Sequence, residues 1–186
     1  MSNSSTTILD CQNNFSTWLK KAKIIYNNNR FDLCDYEDFQ TIQYHSEQVI
    51  ILPVIDGNLI VLCKVFRQLI NHAIWELPAG GLQNEESIEA GAIREFQEET
   101  GIQIHEIHRL KPLPSLVVSP NRLPMFPKIF QINLSINEFE ERIAHDDEIE
   151  NVSAFTFLQI REMINSNQIF ASIPITILSR FLLSQS

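Results

Sequence analysis

Two β-branched hydrophobic runs, residues 48–55 and 59–66, flank Asp56-Gly57-Asn58. Asp-Gly between apolar runs encodes a β-hairpin, because a tight hairpin turn needs residues that tolerate positive φ. Pro53 has no N–H to give a ladder and is expected at an edge or a bulge. Upstream, Ile24-Ile25-Tyr26, the turn-forming Asn27-Asn28-Asn29 and the alternation over 31–36 predict a small N-terminal hairpin. Trp75-Glu76-Leu77 then leads through Pro78-Ala79-Gly80-Gly81 into a helix. Ile88, Ala92 and Phe96 recur every four residues as its packing stripe. Asn84 is the expected N-cap, Glu85 and Glu86 lie near the positive helix end, and Gly101 suits a left-handed C-cap. Gly91 costs about 1 kcal/mol relative to Ala in a helix interior, which signals either a close approach there or a tolerated imperfection.

Further strands are predicted over 104–110, 128–134 and 152–157. The proline-rich stretch 119–127 forms a loop between the first two, and the acidic stretch 145–150 is expected to be exposed. Helices are predicted over 157–167 and, started by Pro174, over 175–183, with Ile175, Leu178 and Leu182 facing inward. Strands and helices mix without regular alternation, which predicts an α+β chain or an α/β/α sandwich.

Within the 88–100 helix, Glu95, Glu98 and Glu99 occupy i, i+3 and i+4 and converge on one face. Like charges at that spacing destabilise a helix by roughly 0.2–0.5 kcal/mol per pair. The arrangement becomes favourable once a divalent cation such as Mg2+ neutralises these hard oxygen donors. Read from spacing alone, the alternative is a solvated acidic face.

Composition narrows the class. A chain of 186 residues with 44% hydrophobic and 20% charged residues has the balance of a globular domain. Its net charge of -9 argues against a nucleic-acid partner, which would meet basic surface. Small phosphorylated substrates stay open, since a bound metal inverts the local field. Cys11, Cys34 and Cys63 lack metal-type spacing and are expected as reduced thiols of a cytoplasmic protein. No signal peptide or membrane-spanning run is expected.

The stretch 80–102 also resembles the Nudix box. That pattern reads Gly, five residues, Glu, seven residues, Arg-Glu-hydrophobic, any residue, Glu-Glu, any residue, Gly-hydrophobic. Gly80, Glu86, Arg94, Glu95, Phe96, Glu98, Glu99, Gly101 and Ile102 fill every specified position. The resemblance implies an α+β fold of the Nudix type: an α/β/α sandwich around a mixed β-sheet, here with the small N-terminal β-hairpin. It implies residues 45–186 as the hydrolase domain and 1–44 as an extension carrying a candidate dimerisation element. The implied reaction is hydrolysis of a nucleoside diphosphate linked to another moiety, using Mg2+ or Mn2+. By the same resemblance Glu95, Glu98 and Glu99 ligate metal together with the Ala79 carbonyl. Arg94 and Glu86 hold the box by an ion pair, and Gly80 and Gly101 supply backbone geometry.

The general base in related enzymes often comes from a late acidic loop. Asp146, Asp147 and Glu148 hold that place, and Glu148 is the choice. Glu76-Leu77-Pro78-Ala79-Gly80 and Ser119-Pro120 further resemble the ADP-ribose and ADP-sugar pyrophosphatase branch, which yields AMP and a sugar phosphate and is commonly homodimeric. This chain departs from that branch at Asn121-Arg122 and lacks an acid over 123–128. GDP-mannose, dinucleoside polyphosphates, oxidised nucleotides and a silent nucleotide-binding regulator therefore stay as alternatives. Arg67 and Arg122 are candidate phosphate contacts, against a structural ion pair and a solvent-facing side chain respectively. Trp75 and Phe31 either stack on a base or belong to the core.

Overall fold

The computed structural model describes residues 31–36, 39–120 and 122–185. Its strands are β1 (Phe31–Tyr36), β2 (Phe39–Tyr44), β3 (Gln48–Ile55), β4 (Leu59–Arg67), β5 (His72–Glu76) and β6 (Ala79–Gly81). After helix α1 (Ile88–Thr100) come β7 (Lys111–Leu113), β8 (Lys128–Leu134), α2 (Ile136–Glu140), β9 (Ile149–Thr156), α3 (Phe157–Asn165) and α4 (Ser172–Ser184).

Strand alternation sorts side chains to two faces. On β3, Val49, Ile51 and Ile55 enter one cluster while Ile50, Leu52 and Val54 enter another. On β4, Val61, Cys63 and Val65 join the first and Ile60 and Leu62 the second. A sheet that is apolar on both faces needs a cover on each. Helix α1 supplies one through Ala92, Ile93 and Phe96; α3 and α4 supply the other through Ile160, Met163, Ile177, Leu178 and Leu182. The α/β/α sandwich follows.

The seven-stranded sheet has the order β5-β4-β3-β8-β7, with β6 paired to β3 and β9 to β4. It is mixed: β3 and β8 run parallel, while the other pairings are antiparallel. One edge of β3 is shared, by β6 at Gln48 to Ile50 and by β4 at Val54 and Ile55. Pro53 sits between those two ladders, in an interior strand instead of at the expected edge or bulge. Ile51 donates its N–H to the Pro78 carbonyl on this side, and the residue two further on faces the same way. The missing N–H of Pro53 therefore falls where the strands splay, and no ladder bond is lost.

A small N-terminal hairpin is present: strand β1 at 31–36 pairs with β2, in register from Phe31 opposite Tyr44 to Tyr36 opposite Phe39. The strand and turn expected over 24–29 lie outside the described residues. Two further expectations are corrected. Residues 104–110 form no strand: only Ile104 and Leu110 are buried there, a 3-10 turn occupies Ile107–Arg109, and β7 begins after it. Helix α4 starts at Ser172, placing Pro174 in the first turn, where an N–H has no helical partner. Leu178 and Leu182 are buried as expected, with Ile177 beside them and Ile175 only partly buried. The β1–β2 hairpin is a separate sheet, and Ile42 donates its N–H to the Arg122 carbonyl at 2.7 Å.

Candidate active site

The site is built where the β6 strap meets α1. Ser87 caps the helix, its side chain accepting from Ala90 N–H; Asn84, the expected cap, lies outside it. The reason is local: Glu85 takes φ 63°, so the chain is still turning after Asn84. Gly91 marks a close approach. A Cβ there would lie 2.3 Å from Leu82 Cδ2 and 2.9 Å from Glu86 Oε2, so bare backbone lets the strap rest on the helix. At the far end Gly101 has φ 73°, and a Cβ would meet the Ile143 carbonyl oxygen at 2.1 Å.

Arg94 is the hub. Its Nε and Nη2 donate to the two oxygens of Glu86, each at 2.9 Å, and Nη2 also donates to the Gly81 carbonyl at 3.0 Å. Its Nη1 donates to Glu95 Oε1 at 2.9 Å and Glu98 Oε2 at 3.0 Å. These bonds engage every N–H of the guanidinium. Arg94 in turn holds the Glu86 carboxyl below its usual value.

Glu99 points the other way, into the protein, and accepts the Ala79 N–H at 3.0 Å. Burial pushes its carboxyl up to about 8, against the pull of that hydrogen bond and with a further push from the Glu95 charge. Burial also raises Glu95, outweighing the bonds from Arg94. Gly80 is pressed against Glu95: a Cβ there would lie 2.1 Å from the carboxylate carbon.

Glu95, Glu98, Glu99 and Ala79 thus line the seam between strap and helix. Among the described residues, no three acidic, His or Cys side chains are gathered around a common point. Glu95 and Glu98 turn to Arg94, and Glu99 turns to the Ala79 N–H. The donor set nonetheless fits a hard divalent cation. It consists of carboxylate oxygens, and burial disfavours the negative charge of two of them.

The acidic loop reaches the same helix end. Ile143 donates its N–H to the Gly101 carbonyl and Asp146 donates to the Glu98 carbonyl, both at 2.9 Å. Asp146, Asp147 and Glu148 are all exposed on this docked loop.

The remaining candidates divide. Arg67 gives Nε, at 3.0 Å, and Nη2 to Oε2 of Glu76, and both charges act on Glu99. Trp75 lies on the opposite face of the sheet, edge-on to Phe155 with centroids 5.0 Å apart, in the cluster that α3 and α4 cover. Phe31 is buried and 6.0 Å from the Tyr44 ring. Arg122 is exposed, on the loop that receives the β2 N–H. Glu76 had no assigned role from sequence, although it begins the Glu-Leu-Pro-Ala-Gly run.

The NUDIX domain model matches residues 45–172, well over half of the chain. The chain belongs to the Nudix family. An ADP-ribose pyrophosphatase of Bacillus subtilis (strain 168) is 30% identical over 127 residues, covering 68% of this Nudix chain and 66% of that protein. A methanol dehydrogenase activator of Bacillus methanolicus is 33% identical over 76 residues, 41% of this chain and 40% of that one. An uncharacterized Nudix hydrolase of Schizosaccharomyces pombe (strain 972 / ATCC 24843) is 33% identical over 100 residues, 50% of this chain and 49% of that one. The chain spans from 40% to 66% of the length of these curated relatives. Among solved structures, an ADP compounds hydrolase superposes with a TM-score of 0.59 at 16% identity, over 79% of this chain and 76% of that one. That likeness supports the α/β/α Nudix fold. No helix among the described residues is long and apolar enough to cross a membrane.

Proposed function

We propose that this Nudix protein is a Mg2+- or Mn2+-dependent pyrophosphohydrolase of nucleoside diphosphates linked to a second moiety. ADP-ribose or another ADP-sugar is the first substrate, and AMP and a sugar phosphate are the products. The observation that carries the reading is the seam itself: Glu95, Glu98 and Glu99 share one helix, and Glu95 and Glu99 pack against the Ala79-Gly80 strap, where burial works against the charge of those two. The substrate choice is supported by the likeness to the B. subtilis ADP-ribose pyrophosphatase.

In this reading Glu95, Glu98, Glu99 and the Ala79 carbonyl hold the cation, which supplies charge neutralisation at the diphosphate and a more acidic water. Arg94 keeps helix and strap together, and Glu148, on the loop docked to the Glu98 carbonyl, takes the water's proton. The water oxygen adds in line to one phosphorus, the bridging P–O bond breaks, and the leaving phosphate departs. The enzyme works in the cytoplasm as a homodimer, with residues 1–44 as the candidate dimer element.

Phosphatase-coupled turnover of ADP-ribose, GDP-mannose, diadenosine polyphosphates and an oxidised nucleoside triphosphate with Mg2+ tests this. A Glu98→Gln, Glu99→Gln double variant runs in parallel. ADP-ribose is expected to be the best substrate, and the double variant to lose at least about 10^2–10^3-fold in kcat, the scale of removed transition-state electrostatics. Preference for another substrate would retain the site chemistry and refute the ADP-sugar assignment. Nucleotide binding without turnover would make the protein a regulator.

A further inference from the structure

The β4–β5 hairpin carries a charged pair that the box does not include. On the α1 face of this hairpin Cys63, Val65 and Arg67 stand opposite Glu76, Ile74 and His72. Arg67 and Glu76 are therefore at opposite ends of this ladder, four residues apart along the strands, a separation of about 13 Å at a strand's rise per residue. They nevertheless bond, so both side chains must lie along the sheet and meet over the buried pair Val65 and Ile74. An arginine at a strand end, next to a turn, would otherwise extend into water. Glu76 draws the guanidinium back toward Cys63, whose Sγ donates to the Glu99 carbonyl at 3.7 Å. The Glu76 side chain is 19% exposed and that of Arg67 40%, an anchored carboxylate holding a cation still open to solvent.

We propose that Glu76 is a positioning residue, fixing Arg67 beside the Glu99 end of the carboxylate site so that its guanidinium meets the diphosphate of the bound nucleotide. The inference rests on the function proposed above. Cys63, directly opposite Glu76, bonds the Glu99 carbonyl, which puts the pair beside the Glu99 end of α1, and the charges of Arg67 and Glu76 both act on Glu99. A guanidinium held along the sheet offers a planar donor set to phosphate oxygens, which a mobile one supplies only after losing rotamer freedom. Opposing carboxylate charge also lets one cation sit near the acidic seam without collapsing onto Glu99.

The test uses the full chain with Mg2+. Calorimetric binding of ADP gives a readout that needs no turnover. Glu76→Gln is expected to raise the Kd for ADP about tenfold and KM for ADP-ribose similarly, with kcat and the Mg2+ half-saturation within twofold of wild type. Arg67→Lys should reproduce the loss, and the double variant should be no worse than either single one, because the two residues act as a unit. A Glu76→Gln protein with a lowered Tm but unchanged Kd and KM would show a purely structural pair and overturn the proposal. So would a wild type that does not bind ADP. Absence of ADP-ribose turnover in wild type would instead strike the proposed function, with the ADP titration still deciding the role of Glu76.

Discussion

Gly80 and Glu95 compete for the same space, and that gives a way to separate chemistry from folding. A Cβ at Gly80 would sit 2.1 Å from the Glu95 carboxylate, the mobile end of a side chain, and its backbone is outside the left-handed region. Gly80→Ala should therefore cost less than about 1 kcal/mol of stability, while swinging Glu95 out of the seam. The expected kcat/KM for ADP-ribose falls at least about tenfold, near 1.4 kcal/mol of transition-state stabilisation, with Tm almost unchanged. Gly101→Ala is the contrasting case. Its Cβ would strike the backbone oxygen of Ile143 from a φ of 73°, with no flexible atom to yield. Thermal or urea unfolding should show a loss of about 1–3 kcal/mol.

At the scale of elements, α2 shows how a short helix is secured. Ser135 and Glu138 form its capping box, and Arg109 adds a two-point bond to Glu138, at 2.6 and 3.1 Å. Arg109 and the Ser135 bonds hold the Glu138 carboxyl down to about 2, against an ordinary 4.5. A carboxyl lowered in the folded state stabilises it above the unfolded value, and that contribution disappears as pH falls from 4.5 toward 2. Glu138→Gln should destabilise by about 1–2 kcal/mol at pH 6, and the difference from wild type should shrink toward zero only as pH approaches about 2 in denaturant titrations. Legibility varied for physical reasons at this scale. The box was readable because its residues share one helix, where spacing alone fixes which side chains meet. The Arg67–Glu76 bond was not, because it depends on the register of a hairpin. Ser87 replaced Asn84 as the cap because of one positive φ at Glu85, and such dihedrals leave no periodic trace. Residues 104–110 looked like a strand from their isoleucines, but residues 105–108 are all exposed, Ile107 among them, and a 3-10 turn starts at Ile107.

For the molecule as a whole, two apolar layers hold the sheet, and Phe96 shows how tightly α1 is fastened to one of them. Its side chain is fully buried one residue from Glu95, so the core and the candidate site share a turn of helix. Phe96→Ala should cost about 3–5 kcal/mol, whereas Leu158→Ser, at a side chain 66% exposed, should stay within about 0.5 kcal/mol in the same unfolding assay. The sandwich was legible because hydrophobic runs at β3 and β4 cannot be covered on one side alone. The seating of the acidic loop was not, since it hangs from main-chain atoms: the carbonyls of Glu98 and Gly101 receive the amides of Asp146 and Ile143. Those two amides should exchange with deuterium as slowly as the last turn of α1, although they belong to an irregular segment with exposed side chains. Changes of side chain along that segment can then retune its acidity without loosening its attachment, while any fraying of the helix end releases the whole segment at once.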